Sequence, residues 1–138
     1  MPLKYTKAIE NIVTNPYRLR HQEKIMHFLD YYIDAEAIAM KVIAYYKRDS
    51  KKHIKAFDKI RTDTLIKAMN HFYLIFDSDD IYQIFSSYPT HKNTPTARTL
   101  RNHYMHGRGK TYAQSIINHY DFLTSSMQRF IKTIASLK

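Results

Sequence analysis

The sequence predicts an all-α fold: a helical bundle of about five helices, with two long antiparallel helices first, short helices next and a long C-terminal helix last. Three observations lead there. Apolar residues recur at steps of three and four over long stretches, the signature of amphipathic helices. Only two glycines occur in 138 residues, at 107 and 109, too few for a loop-rich β protein. The four prolines, at 2, 16, 89 and 95, fall between the periodic runs and act as punctuation. No repeat, low-complexity linker or composition shift divides the chain, so residues 1–138 read as one domain. A domain of this length buries enough surface to fold without disulfides or metal.

Lys4 to Val13 reads as a short leading helix. Asn15-Pro16 is a helix-start signal, since proline suits a first turn whose N–H has no partner in any case. A long helix then runs from about Tyr17 to Tyr46, with Phe28, Tyr32, Ala35, Ala39, Val42 and Tyr46 on one inward stripe. Asp49-Ser50 breaks it. A second helix follows from about Lys51 to Phe76, with Phe57, Ile60, Ala68, Phe72 and Ile75 inward. The run Asp77 to Asp80 ends that helix and caps a short one, Ile81 to Ser87. Tyr88 to Pro95 reads as an irregular loop. Thr96 caps a short helix from Ala97 to His106, with Gly107 as its left-handed stop. The last helix runs from about Thr111 to Leu137, and Tyr112, Ile116, Tyr120, Leu123, Met127, Phe130 and Ile134 form its buried stripe.

Lysine and arginine number 22 against 12 acidic residues, a formal charge of +10. The placement of the charge is more telling than its size. After Asp80 the next carboxylate is Asp121, and none follows. The stretch between them carries Lys92, Arg98, Arg101, Arg108 and Lys110, a field that attracts polyanions such as RNA, DNA or an acidic membrane surface. The bland alternative is a basic protein whose charge is incidental. The absence of cysteine excludes disulfides, thiolate zinc sites and a cysteine nucleophile. No signal-peptide run or transmembrane-length segment is evident, which points to a cytoplasmic protein with no membrane partner.

The most informative segment is Leu100-Arg101-Asn102-His103-Tyr104-Met105-His106-Gly107. Arginine holds phosphate through a planar fork of donors and never loses its charge. Histidine exchanges a proton near neutral pH. Together they supply what cleavage of an RNA phosphodiester needs when no metal takes part. Arg101 would hold the scissile phosphate and stabilise its developing charge. His106 would act as general acid or base on the ribose 2′-OH or the 5′-oxygen. Asn102, one helical turn before His106, would orient that histidine or a phosphate oxygen. Arg101 and His106 are five positions apart, a step that a regular helix does not stack. They converge if His106 occupies the last turn, or if a twofold partner completes the site.

Arg101-Asn102 followed by His106 resembles the motif of the HEPN superfamily of ribonucleases, in which four to six residues separate an arginine from a histidine. A polar residue directly after the arginine is also typical of that family, as is a motif helix that follows two long antiparallel helices. The resemblance covers most of the chain in architecture and about six residues in sequence. It implies a homodimer whose two motifs line one cleft, cutting RNA without metal or other cofactor. It leaves a 2′,3′-cyclic phosphate and a 5′-OH. Many members are toxins or effectors of phage defence, so an antitoxin or other regulatory protein is an implied partner. One subgroup carries a tyrosine two residues after the histidine, used by a nucleotidyltransferase antitoxin; this chain has Arg108 there.

His103, Tyr104, Arg98, Arg108 and Lys110 are further candidate RNA contacts, with Tyr104 able to stack on a base. Lys51, Lys55 and Lys59 share a helix face; a solvated lysine face is the simpler reading, a track for the RNA backbone the other. Glu23, His27, Asp30 and Asp34 have metal-ligand spacing but no answering carboxylate helix, and read as a polar helix edge. His103 and His106 lie in an acid-free stretch and read as solvent or RNA contacts rather than metal ligands. Gly109-Lys110-Thr111 mimics the end of a P-loop without its first glycine or its strand, although this glycine-rich lead into a helix suits an RNA phosphate. Three functional classes follow: an endoribonuclease, a basic module that grips RNA or DNA without cutting, and a helical interaction protein.

Overall fold

A computed structural model describes residues 21–50, 60–89 and 94–135; the side chains of residues 21, 22 and 108–111 fall outside that description. The described residues form six α-helices and no strand: α1 (His21–Asp49), α2 (Thr62–His71), α3 (Ser78–Phe85), α4 (Ala97–His103), α5 (Gly109–Asn118) and α6 (Tyr120–Ala135). The fold class is therefore an all-α bundle. The leading helix expected over Lys4 to Val13 lies outside the described residues.

α1 is the spine. The expected stripe is inward: Phe28, Tyr32, Ala35, Ala39 and Val42 are buried and Tyr46 is partly so. Ile25, Tyr31, Ile38 and Ile43 widen it. This face packs chiefly on α6 and α2. α6 in turn packs on α3, and Asp80 of α3 receives both Nε (2.9 Å) and Nη2 (2.8 Å) of Arg129.

The second helix departs from expectation. Residues 60 and 61 are not helical, and α2 runs only from Thr62 to His71. Its end is a Schellman motif: the Leu74 N–H donates to the Met69 carbonyl and the Tyr73 N–H to the Asn70 carbonyl, both at 3.0 Å. Tyr73 occupies the left-handed position, with φ 57°. No glycine or asparagine marked that stop in the sequence. Beyond it, Leu74 and Phe76 pack on the core while Ile75 is exposed, the reverse of the inward role expected for Ile75. The expected antiparallel pairing with α1 is not what the helix ends show. The last residue of α2, His71, bonds Asp49 at the end of α1 (3.1 Å) and stacks edge-on against Tyr46, so the two C-termini meet.

α3 starts one turn earlier than Ile81, with Asp77 as N-cap accepting from the Asp79 N–H (2.9 Å). The closing helix is interrupted at His119, giving α5 and α6 where one helix was expected. The stripe survives the interruption: Ile116, Tyr120, Leu123, Met127, Phe130 and Ile134 are all buried. No described helix is long and apolar enough to cross a membrane.

Candidate nucleic-acid interface

α4 is short, and its position is set at its first turn. Thr96 is fully buried and caps it: the hydroxyl donates to the Ser86 carbonyl (2.7 Å) and accepts from the Thr99 N–H (3.2 Å). Gln83 donates to the Pro95 carbonyl (3.0 Å) just before it. Ala97 and Leu100 point into the core. With those positions inward, Arg98 and Arg101, one turn apart, fall toward the rim.

Arg98 donates through Nη1 to the Ser87 hydroxyl at 2.6 Å. It also lines a surface cavity of about 210 Å³, together with Arg61, Ser86, Ser87 and Tyr88. Arg101 is half-buried. Its guanidinium lies 5.8 Å from the Tyr32 ring centroid, and Nη1 donates to Asn102 Oδ1 at 3.2 Å. That hydrogen bond joins Asn102 to the arginine, not to His106. No carboxylate forms a salt bridge with Arg101 among the described residues.

Two residues join this group that the sequence did not single out as site residues, Tyr32 and Glu36. Burial pushes the Tyr32 hydroxyl far above its ordinary pKa, and the Glu36 carboxylate, hydrogen-bonded to it, pushes the same way; Arg98 and Arg101 pull against them. The Tyr32 hydroxyl is therefore a neutral donor where α1 meets α4. The signal was present in outline: Tyr32 sat on the inward stripe, and a buried tyrosine needs a partner for its hydroxyl. Glu36, one turn on, supplies it.

The far end of α4 is built differently. A wide, π-type turn covers Tyr104–Arg108, and the chain leaves helical dihedrals at His106 (φ −94°, ψ 33°) and Gly107 (φ 86°). Gly107 is thus the left-handed stop the sequence suggested. His106 is exposed there and makes no hydrogen bond to Arg101 or Asn102 among the described residues. The five-position step is not closed by a direct contact within one chain.

The other candidates divide. His103, half-buried, stacks flat on Tyr112 (4.5 Å between centroids, 12° between planes), so its ring joins α4 to α5. Tyr104 is half-buried, with one side against the core. The backbone of Arg108 and Lys110 lies at the turn and at the start of α5, while their side chains lie outside the described residues. Lys51, Lys55 and Lys59 also lie outside them. No group of three or more acidic or histidine side chains is placed to hold a metal ion among the described residues.

No protein-family model, curated protein or solved structure matches this chain.

Proposed function

We propose that this protein is a metal-independent endoribonuclease of the HEPN type, acting as a homodimer and serving as a toxin or phage-defence effector in the cytoplasm. The observation that carries the proposal is the state of Arg101. It is a half-buried guanidinium with no salt-bridge partner among the described residues, held between the Tyr32 ring and Asn102 Oδ1, in a stretch with no acidic residue from 81 to 120. Such a group attracts a phosphate without first having to leave an ion pair.

In the reaction, the ribose 2′-OH gives up its proton to a base and attacks phosphorus. The P–O5′ bond breaks, the 5′-oxygen is protonated, and a 2′,3′-cyclic phosphate remains. Arg101 binds the non-bridging oxygens as their charge grows. His106 exchanges the protons, and in a dimer one copy acts as base and the other as acid. Arg98 and the neighbouring cavity with Tyr88 would take the adjoining nucleotides. An antitoxin or another regulatory protein would restrain the activity.

The exposure of His106, and the lack of a bond from it to Arg101, favour one second reading: a basic module that binds RNA or DNA without cutting it. Incubation of purified protein with RNA in EDTA separates the two. The proposal expects cleavage to cyclic-phosphate ends that Arg101→Ala and His106→Ala both abolish. Cleavage that depends on added metal, or survives both substitutions, sinks it. Binding without cleavage establishes the second reading.

A further inference from the structure

The cavity that Arg98 lines, about 210 Å³, mixes three kinds of side chain. Arg61 and Arg98 bring positive charge, Asp63 brings the one carboxylate of the lining, and Tyr88 brings an aromatic ring. Ile60 and Phe85, both buried, supply apolar lining.

The wall that carries Tyr88 is fixed. The Ser86 carbonyl accepts from the buried Thr96 hydroxyl (2.7 Å), and the Ser86 hydroxyl accepts from the Tyr88 N–H (3.1 Å). The Ser87 hydroxyl accepts from Arg98 Nη1 at 2.6 Å, which holds that guanidinium at the cavity and uses one donor of its fork. On this fixed wall Tyr88 is 79% exposed. A tyrosine ordinarily covers its ring and leaves only the hydroxyl in water. A ring displayed beside arginines suits stacking on a base.

Asp63 narrows the choice of ligand. Two arginines alone would describe a phosphate site, and a carboxylate in the same lining would weaken it. Neither Arg61 nor Asp63 forms a salt bridge among the described residues, so the opposite charges have not been joined in a pair. Size narrows it further. Cavities for drug-sized ligands run from about 300 to 1,000 Å³. This smaller one takes a flat ring system and leaves a sugar outside.

We infer that the cavity is a binding site for a guanine base that carries a phosphate, either as a free nucleotide or as a guanosine in RNA. Among the four RNA bases, guanine alone offers both adjacent N–H donors, at N1 and N2, and a pair of acceptors, O6 and N7. A carboxylate accepts from the first pair and an arginine fork donates to the second. Asp63 takes the donor edge, Arg98 takes O6 and N7, Arg61 takes the phosphate, and Tyr88 stacks on the ring. The inference deepens the proposed function by naming the base the cavity reads, and it rests on that reading only for RNA as a source of the base.

Calorimetric titration of the full chain with nucleoside monophosphates tests it. Guanosine monophosphate should bind on the order of tenfold tighter than the adenosine, cytidine and uridine monophosphates, and tighter still relative to inorganic phosphate. Asp63→Asn replaces an acceptor oxygen with an amide donor. It should lose the guanine preference and gain one for xanthosine monophosphate, whose C2 carries an oxygen in place of the amino group. A role for Asp63 in folding alone would not produce that exchange. Tyr88→Ala should weaken all the nucleotides by a similar factor, on the order of tenfold, with the circular dichroism spectrum unchanged. No binding at millimolar concentration, equal affinity for the four nucleotides, a guanine preference that survives Asp63→Asn, or phosphate bound as tightly as nucleotide would each overturn the inference. A short RNA with one guanosine that displaces the nucleotide identifies RNA as the source of the base; one that leaves it bound identifies the free nucleotide, and both outcomes support the site. Absence of RNA cleavage with guanine binding intact would count instead against the roles of Arg101 and His106.

Discussion

Arg129 and Arg101 carry the same guanidinium into opposite settings. Arg129 meets Asp80 through two hydrogen bonds and ties α3 to α6. Arg101 has an amide oxygen and an aromatic ring for company, and forms no salt bridge among the described residues. The first is committed to holding two helices together. In the proposed function the second keeps its field for an anion from outside. In a chain of charge +10, this difference separates cations that serve the fold from cations open to a ligand.

Substitution of each arginine tests that division, and the largest effect belongs to Arg101. Arg101→Ala should lower RNA cleavage in EDTA by about 10²–10³, the size expected when one charge-stabilising donor is lost. Its unfolding midpoint should stay close to wild type. Arg129→Ala should do the reverse, leaving cleavage intact while costing about 1 kcal/mol, or roughly 3–6 °C in Tm by thermal unfolding. If Arg129→Ala silences cleavage in folded protein, the division is wrong.

Alkaline unfolding probes the packed side of the comparison. The hydroxyls of Tyr31 and Tyr120 are buried without a hydrogen-bond partner among the described residues, and burial pushes Tyr31 from 10.0 to about 12. Its folded-state pKa is raised, so the neutral form is favoured in the native protein. That stability is complete below pH 10 and is lost as pH rises from 10.0 toward about 12. A urea midpoint followed against pH should fall through that window, and Tyr31→Phe should flatten the fall.

Smaller effects come from the ends of the helices. Thr96→Ala removes the cap of α4 and its bond to Ser86, and should cost about 1–2 kcal/mol in urea unfolding. The two left-handed positions should respond with opposite signs. Gly107→Ala should destabilise by about 1 kcal/mol through its dihedral alone, since nothing lies within 4 Å of an added methyl. Tyr73→Gly relieves the same kind of strain and should stabilise by up to about 1 kcal/mol, less the entropy that glycine adds to the unfolded chain.

Periodicity made the core of α1 and the stripe through α5 and α6 legible, because burial there follows side-chain type. The caps were legible for the same local reason: Asp77, Thr96 and Gly107 each satisfy the backbone in a way few residues can. The end of α2 was hidden, since a tyrosine took the left-handed position and the apolar run continued past it. Its direction against α1 was hidden too, being set by tertiary contacts such as His71 with Asp49. At the site, Arg101 and Asn102 could be read as a pair from adjacency. The engagement of His103 by Tyr112, and the Tyr32–Glu36 pair, depend on which helices meet, and a linear pattern does not record that.

The turn that follows α4 has a mechanical consequence. Thr96 and Leu100 fix the start of the helix and His103 on Tyr112 holds its end, while Met105, His106 and Gly107 lie exposed in the wide turn that leads to α5. The segment is an exposed arch between two anchored points. Its amides should exchange with solvent fastest at the crown and slowest near Leu100, a gradient along barely two turns. A ligand that touches both Arg101 and His106 would have to damp the crown, and part of its binding energy would be spent as lost motion there.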